Sequence, residues 1–289
     1  RLPRLVIAGP GYGLTASGQI GDLESGLQLS GNARAEFADL SRLSKLAGRP
    51  LRGAAQIDVA GTGSPLGGGF DVTAQVYGQS IGIGQPEIDR MLAGGAKIAL
   101  SARRDETGLM LRQLEITAAT LNATASGRLS STGSDVTANL DFADLAVLGQ
   151  GFGGALALDA KLTGTPDAGK ATLSGQGTGL RIGQAEADTL LRGTSTVQAA
   201  LSINDEVVTL DSVQISNPQV TAKATGTVAG ARRQISIEAR LANLGVILPE
   251  FPGVVTLAGT ATDTGPGYQV DLRGTGPAQI SARMSGTIA

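Results

Sequence analysis

The composition of this 289-residue chain excludes several classes of protein before any motif is considered. Histidine and cysteine are both absent, which removes the commonest general base, the commonest metal ligand, thiolate chemistry and disulfides. The 23 basic and 25 acidic residues are interspersed and aromatic residues make up only 3%, so the sequence offers neither a basic stripe nor a stacking platform for nucleic acid. We therefore expect no cofactor, no metal and no nucleic-acid partner.

Strand signals dominate the chain. Apolar and polar residues alternate from Leu27 to Phe37, from Asp135 to Phe142, from Gln234 to Leu241 and from Ala278 to Met284. Successive side chains of a strand point to opposite faces of its sheet, so this period of two predicts antiparallel sheet with one apolar and one wet face. The spacing of turn signals such as Gly9-Pro10-Gly11 predicts strands of roughly 7–11 residues.

Helical signals are short and few. Residues 40–46, 87–92 and 186–191 each have the length and composition for one or two helical turns, and an irregular loop is the alternative interpretation. Because two of these segments occupy matching places in a repeat, we interpret them as short plugs or connectors at a fixed point of each repeating unit.

The chain repeats itself with an offset of 99 positions. Ile83 to Gly94 recurs as Ile182 to Gly193, and Phe142 to Leu145 recurs as Leu241 to Leu244. A repeat of this length is too long for a helical hairpin, so each copy must hold several strands. The predicted organisation is the end of a preceding unit at 1–48, full units at 49–149 and 150–250, and the start of a third unit at 251–289.

The motifs that resemble chemical sites have simpler structural explanations. Gly149 to Gly154 matches a dinucleotide fingerprint in form, but the alternating residues 155–162 predict a strand where that motif needs a helix. Acidic residues such as Asp135 and Glu238 recur at regular spacing on the predicted wet face, which a solvated sheet explains. With no histidine to pair with a nucleophile, the sequence predicts a protein that is not an enzyme.

The predicted apolar face needs a covering, and the sequence contains no long amphipathic helix to supply one. Left exposed, such a face exceeds the few hundred Å² of apolar patch that is usual on a soluble monomer. Three solutions fit the residues equally: a second sheet packed on the face, closure into a solenoid, or a groove filled by an apolar ligand.

The sequence resembles the TamB family of AsmA-like envelope proteins. The resemblance rests on alternating Leu, Ala and Gly strands, on the strand ends Ala125-Ser126-Gly127 and Ala224-Thr225-Gly226, and on the closures Phe37-Ala38-Asp39-Leu40 and Phe142-Ala143-Asp144-Leu145. The resemblance lies in the general pattern of residues along the whole chain. The chain has no recognisable anchor helix, so within that family we expect it to be an internal segment of a longer protein.

The resemblance implies a fold, a place and a task. The implied fold is all-β, an elongated U-shaped β groove of stacked antiparallel meanders with a few short helices. The implied place is the periplasm, in a protein anchored in the inner membrane. The implied task is to carry phospholipid between the inner and outer membranes in support of outer-membrane biogenesis. An outer-membrane barrel assembly protein of the TamA type is the implied partner, through regions outside this segment.

We therefore predict that the apolar face is a dry lining for phospholipid acyl chains. A structural β-solenoid of the adhesin or passenger kind, and a groove chaperone for outer-membrane protein strands, are the alternatives. The predicted lining residues share the apolar phase of their strands: Leu27, Leu29, Val136, Ala138, Leu140, Ile235, Ile237, Ala239, Ile280 and Met284.

Overall fold

The protein consists of two compact units of antiparallel sheet in a computed structural model. The structure describes residues 2–21, 27–64, 66–165, 167–230, 233–265 and 267–288. Unit 1 comprises residues 1–142 and 147–149, and unit 2 comprises residues 143–146 and 150–289. The division of the chain into four repeat segments stays a prediction.

Unit 1 contains nine strands, and each pairs antiparallel with its neighbour in sequence. A 3-10 helix at Leu40–Leu43 and the helices α1 (Ser44–Ala47) and α2 (Pro86–Met91) interrupt the meander. The strands are β1 (Leu2–Gly9), β2 (Tyr12–Gly21), β3 (Gln28–Phe37), β4 (Arg52–Gly63), β5 (Phe70–Gly82), β6 (Gly95–Asp105), β7 (Gly108–Thr117), β8 (Leu121–Leu129) and β9 (Ser134–Phe142).

Unit 2 repeats this plan with nine further strands in antiparallel succession. Its helix α3 (Ala185–Leu190) corresponds to α2, and 3-10 helices lie at Leu244–Val246 and Pro277–Gln279. A further 3-10 helix, Leu145–Leu148, lies between β9 and β10 in sequence. The strands are β10 (Phe152–Gly164), β11 (Ala168–Ile182), β12 (Thr194–Asn204), β13 (Val207–Ser216), β14 (Val220–Ala229), β15 (Gln234–Leu241), β16 (Val255–Asp263), β17 (Tyr268–Thr275) and β18 (Ser281–Ile288).

The prediction of an all-β fold built from antiparallel meanders with a few short helices is confirmed. All three predicted helical segments form helical turns. The predicted strand length was wrong for β4, β5, β10 and β11, which have 12–15 residues. The hairpins β4–β5 and β10–β11 each contain a β-bulge next to a glycine, at Gly53 and Gly154. A bulge takes up an extra residue without ending the strand, so the strand continues past a glycine that would otherwise suggest its end.

The 99-residue offset extends to details of the backbone. The register shift between Ser101 and Ala102 in the β6–β7 pair recurs between Ala200 and Leu201 in β12–β13. The shift between Leu111 and Leu114 recurs in the same way between Leu210 and Val213. Bulges bend and twist a strand at a defined point, so the repeated sequence encodes the same local bends in both copies.

The recurring Phe-Ala-Asp-Leu closure has a structural explanation as a capped turn. The carboxylate of Asp39 accepts a hydrogen bond from the backbone N–H of Ser41 at 2.8 Å, and Asp144 accepts one from Ala146 at 2.9 Å. Asn243 does the same for Gly245 at 3.0 Å. An Asx side chain at this place starts the 3-10 helix by satisfying a donor that has no intrahelical partner.

Unit 1 has its hydrophobic core at one end of the sheet. The buried side chains there are few, and Leu40 and Leu92 reach over the strand ends from outside the sheet. We call this cluster the covered end of unit 1: Leu40, Ala55, Ile81, Leu92 and Ala96, with partly buried neighbours that include Phe37, Ile83 and Ile88.

Candidate functional site

The candidate site is the apolar face of the sheet, which strand register makes continuous in each unit. Residues that pair across an antiparallel ladder share a face, so a row of partners can be followed from strand to strand. In unit 2 the row through Ile237 stays apolar or glycine across all nine strands. Its members are Ala160, Leu173, Ala199, Val213, Ala224, Ile237, Gly259, Leu272 and Met284.

Unit 1 has an equivalent apolar row. It also crosses nine strands without a polar side chain. Its members are Leu5, Ala16, Ala33, Val59, Ala74, Leu100, Leu114, Ala125 and Ala138. We call these two sets the central rows of the units.

The central rows are shielded but not buried. None of their side chains is buried, and most are half-buried, while most of the polar residues between them are exposed. In β9 this alternation is complete, with half-buried Val136, Ala138 and Leu140 between exposed neighbours. Among the described residues of both units, no large side chain is fully buried. The apolar face is therefore only partly screened from water by the side chains of the protein.

The predicted lining residues lie on this face in the structure. Val136, Ala138 and Leu140 belong to β9 and Leu29 to β3, on the same face of unit 1. Leu27 is half-buried and immediately precedes β3. In unit 2, register aligns four more with one another on the apolar face: Ile235, Ile237 and Ala239 of β15, and Met284 of β18.

Ile280 is the exception in local structure. The sequence predicted it inside a strand that began at Ala278, and this was wrong, because Pro277–Gln279 forms a 3-10 turn with Ala278 at φ 55°. β18 begins only at Ser281. Ile280 instead lines a cavity at the end of unit 2, together with Met284.

The one glycine in the central rows, Gly259, is covered by a larger neighbour. A Cβ added to Gly259 would lie 2.7 Å from Cδ2 of Leu272, so the Leu272 side chain already covers that position. Gly259 therefore leaves no gap in the apolar row between β15 and β17.

A cavity of about 420 Å³ opens on the apolar face at one end of unit 2. Apart from Thr275 and Arg283, the side chains that line it are apolar. We call this cavity the open end of unit 2, and its walls include Leu244, Leu248, Phe251, Leu272, Ile280 and Met284.

One wall of the open end is an ordered loop. The side-chain oxygen of Asn243 accepts hydrogen bonds from the N–H groups of Gly245 at 3.0 Å and Gly253 at 2.9 Å, which closes the loop at its base. The loop holds Leu248 and Phe251 beside the cavity, although they are 49% and 48% exposed. Two large apolar side chains are thus held in a defined place with much of their surface in water.

The opposite, polar face carries cross-strand ion pairs. Nε of Arg34 contacts Asp58 at 2.6 Å, Arg112 binds both carboxylate oxygens of Asp71, and Arg283 contacts Asp271 at 2.6 Å. Hydrogen bonding from Arg283 lowers the pKa of Asp271 below its ordinary value. Pairs this exposed contribute little to stability, so this face serves mainly to keep the sheet in water.

No protein-family model, no curated protein and no solved structure matches this chain. Within the described ranges, no helix combines the length and apolarity that crossing a bilayer requires.

Sequence reasoning missed the walls of the open end. The predicted boundary between the second and third units falls inside this loop, at 250/251, because proline and glycine are frequent in connections. The signal that was available is the run of large apolar residues that includes Leu248 and Phe251, which is unusual for a simple connection. Their role depends on the loop closure by Asn243, which only the structure reveals.

Proposed function

We propose that this chain is a lipid-carrying β groove in which phospholipid acyl chains lie along the apolar face. The observation that supports this most is the central row of unit 2, which crosses nine strands without a polar side chain and is left half-exposed. Each methylene removed from water on such a face is worth about 0.8 kcal/mol. An acyl chain therefore gains free energy by lying along the row.

The chemistry of the face favours an acyl chain over a polypeptide. A peptide that lies flat on an apolar surface finds no hydrogen-bond partners there for its backbone N–H and C=O groups, which is costly wherever water is excluded. An acyl chain has no such groups and adapts to a floor of mixed small and large side chains. Its headgroup needs water, which is available where the face is incompletely covered.

The same proposal includes the cellular setting that the family resemblance implies. A long apolar face is of most use between two membranes, so we place the protein in the periplasm as part of an inner-membrane-anchored chain. An outer-membrane partner of the TamA type belongs to this proposal through regions outside the segment.

The test uses adjacent residues that point to opposite faces of β15. A photo-crosslinking amino acid at position 237 is expected to capture several-fold more phospholipid than one at position 236, because Ile237 is on the apolar face and Ser236 on the exposed one. Mass spectrometry of the crosslinked and copurified lipid identifies the cargo.

Variants at the same two positions test lipid binding. Ile237→Asp is expected to abolish lipid capture along the row, and Ser236→Asp, on the opposite face, is the matched control. Equal lipid capture at 237 and 236, with no copurifying lipid, would overturn the proposal in favour of a structural solenoid. Capture of unfolded polypeptide at position 237 instead of lipid would support the groove chaperone.

A further inference from the structure

The polar face of unit 2 contains a cavity of about 870 Å³ with a strongly basic lining. It spans strands β14 to β18, on the side of the sheet opposite the apolar face. Four cationic side chains line it, and Glu238 is the one acidic side chain in the lining. The cations are Lys223, Arg240, Arg273 and Arg283. We call this the basic cavity.

Strand register explains how the basic cavity forms. Ala258 on β16 is the partner of Glu238 on one side and of Arg273 on the other. Its methyl group is the smallest side chain in that row, so it leaves a floor between longer neighbours. Beside it, the hydroxyls of Thr256 and Thr275 lie 2.6 Å apart and complete a polar floor.

Two guanidinium groups stand on opposite sides of this floor. Arg240 is on β15 and Arg273 is on β17, with β16 between them. Strands are spaced about 4.8 Å apart, so the two backbone positions are separated laterally by about 10 Å. Arginine side chains are long enough to converge from that distance on one small ligand above Thr256 and Ala258.

The charges in the basic cavity are only partly balanced. Asp271 is ion-paired with Arg283 through two contacts, at 2.6 and 3.1 Å. In the part of the chain that the structure describes, Arg240 and Lys223 have no ion pair, and Arg273 interacts with Asp271 only through space. Glu238 is left to offset these three cations, so the cavity keeps a net positive charge.

A cavity on the polar face of unit 1 shows the balanced alternative. Its volume is about 500 Å³, and its lining includes Arg34, Asp58, Asn32 and Thr73. There the arginine is neutralised inside the cavity by Asp58 at 2.6 Å. A cross-strand arrangement of this kind therefore does not by itself produce an unbalanced cavity, and the excess of cations in unit 2 favours an anionic ligand there.

We propose that the basic cavity binds a phosphate group, held between the guanidiniums of Arg240 and Arg273 above the Thr256 and Thr275 hydroxyls. A guanidinium presents a planar fork of donors that matches phosphate oxygens. In the Thr256–Thr275 pair, the hydroxyl that accepts keeps its own proton as one further donor. The phosphate group belongs either to a lipid headgroup or to a free phosphate compound. This site is on the opposite face from the acyl-chain lining and does not depend on it.

The experiment compares three variants of the full chain with the unmodified protein. Arg240→Gln with Arg273→Gln removes both guanidiniums, and Ala258→Glu places a carboxylate on the floor while keeping every cation. Arg34→Gln is the matched control in unit 1. All four positions are exposed, and a retained β circular dichroism spectrum verifies the fold.

Two probes separate the two sources of phosphate. Inorganic phosphate is titrated by calorimetry, and phosphatidylcholine vesicles with and without phosphatidylglycerol are tested by co-sedimentation. We expect the double variant and Ala258→Glu to weaken binding at least about tenfold, since a hydrogen bond to a charged group contributes that much. Arg34→Gln is expected to bind like the unmodified protein.

Either source supports the proposal. Binding of phosphate in solution points to a free compound, and selective binding of vesicles that contain phosphatidylglycerol points to a headgroup. The proposal is overturned when neither probe binds the unmodified protein, when binding survives the double variant and Ala258→Glu, or when Arg34→Gln weakens binding equally.

Discussion

The covered end of unit 1 and the open end of unit 2 begin with the same capped turn but differ in how far their apolar side chains are buried. In unit 1, the leucine after the cap, Leu40, is only 7% exposed and packs with Ile81 and Leu92 over the strand ends. In unit 2, the leucine after the cap, Leu244, lines a cavity whose other walls are half-exposed. The same local motif therefore supports both a small core and an open apolar cavity.

The difference originates in the hairpin that follows each turn. β5 has 13 residues and leads into α2, which carries Ile88 toward the core. α2 is held in place by Arg90, which donates hydrogen bonds to the carbonyl oxygens of Val147 at 2.9 Å and Leu148 at 2.6 Å. β17 has eight residues and leads only into a three-residue 3-10 turn. Without a covering helix, the apolar strand ends stay accessible.

The comparison predicts a large difference in stability between leucine truncations at the two ends. Leu40→Ala removes a buried side chain and leaves a void, so it is expected to lower the free energy of unfolding by about 2–5 kcal/mol. Leu248→Ala at the open end removes a half-exposed side chain and is expected to cost less than about 1 kcal/mol. Urea unfolding followed by circular dichroism measures both. Equal losses would show that the two ends are equally packed.

A glycine substitution tests the backbone of the covered end. Gly53 has φ +89°, and an added Cβ would lie 2.5 Å from the carbonyl oxygen of Gln79 and closer still to that of Ser80. Gly53→Ala is therefore expected to destabilise unit 1 by about 1–3 kcal/mol more than Gly94→Ala. Gly94 also has a positive φ, at +77°, but has open space around it. Because both glycines have a positive φ, the difference between the two urea midpoints measures the effect of the steric clash separately from that of backbone strain.

A smaller effect is expected at the carboxylate that anchors α2. Asp89 accepts hydrogen bonds from the N–H of Ile83 at 2.6 Å and from Arg52 at 2.7 Å. Asp188 makes the equivalent contact with Ile182 at 2.7 Å, and among the described residues it has no ion pair. Asp89→Asn is expected to lower the urea midpoint more than Asp188→Asn, because only the first loses an ion pair. The reverse order would rule out a role for Arg52.

The same carboxylate predicts a pH dependence. The hydrogen bonds from Ile83 and Arg52 lower the pKa of Asp89 below its ordinary value of 3.8. A carboxyl group with a lowered folded-state pKa stabilises the fold above its unfolded pKa and loses that contribution as the pH falls through the folded value. The difference in stability between the unmodified protein and Asp89→Asn should therefore be constant near pH 7 and shrink below pH 3.8. A difference that persists at lower pH would show that the charge of Asp89 contributes nothing.

Much of the fold followed from the pattern of single residues. The alternation in Asp135 to Phe142 predicted the face on which each side chain lies, and the structure has the same alternation in β9. The predicted turn at 87–92 is helix α2. These features are local, since a strand's period and a helical turn depend on neighbours a few residues away. The prediction for Ile280 was wrong because Pro277 and the positive φ of Ala278 form a 3-10 turn where the alternation predicted the start of a strand.

The sequence alone determined the class of fold, the two faces of each strand and the 99-residue recurrence of elements. All three depend only on the order of polar and apolar residues along the chain. Only the tertiary structure decided how far each apolar face is covered and which charges meet. The amount of cover depends on whether a helix such as α2 reaches across the strand ends. The placement of Arg240 and Arg273 on either side of β16 depends on the register of three strands. Both depend on contacts between residues that lie far apart in the chain.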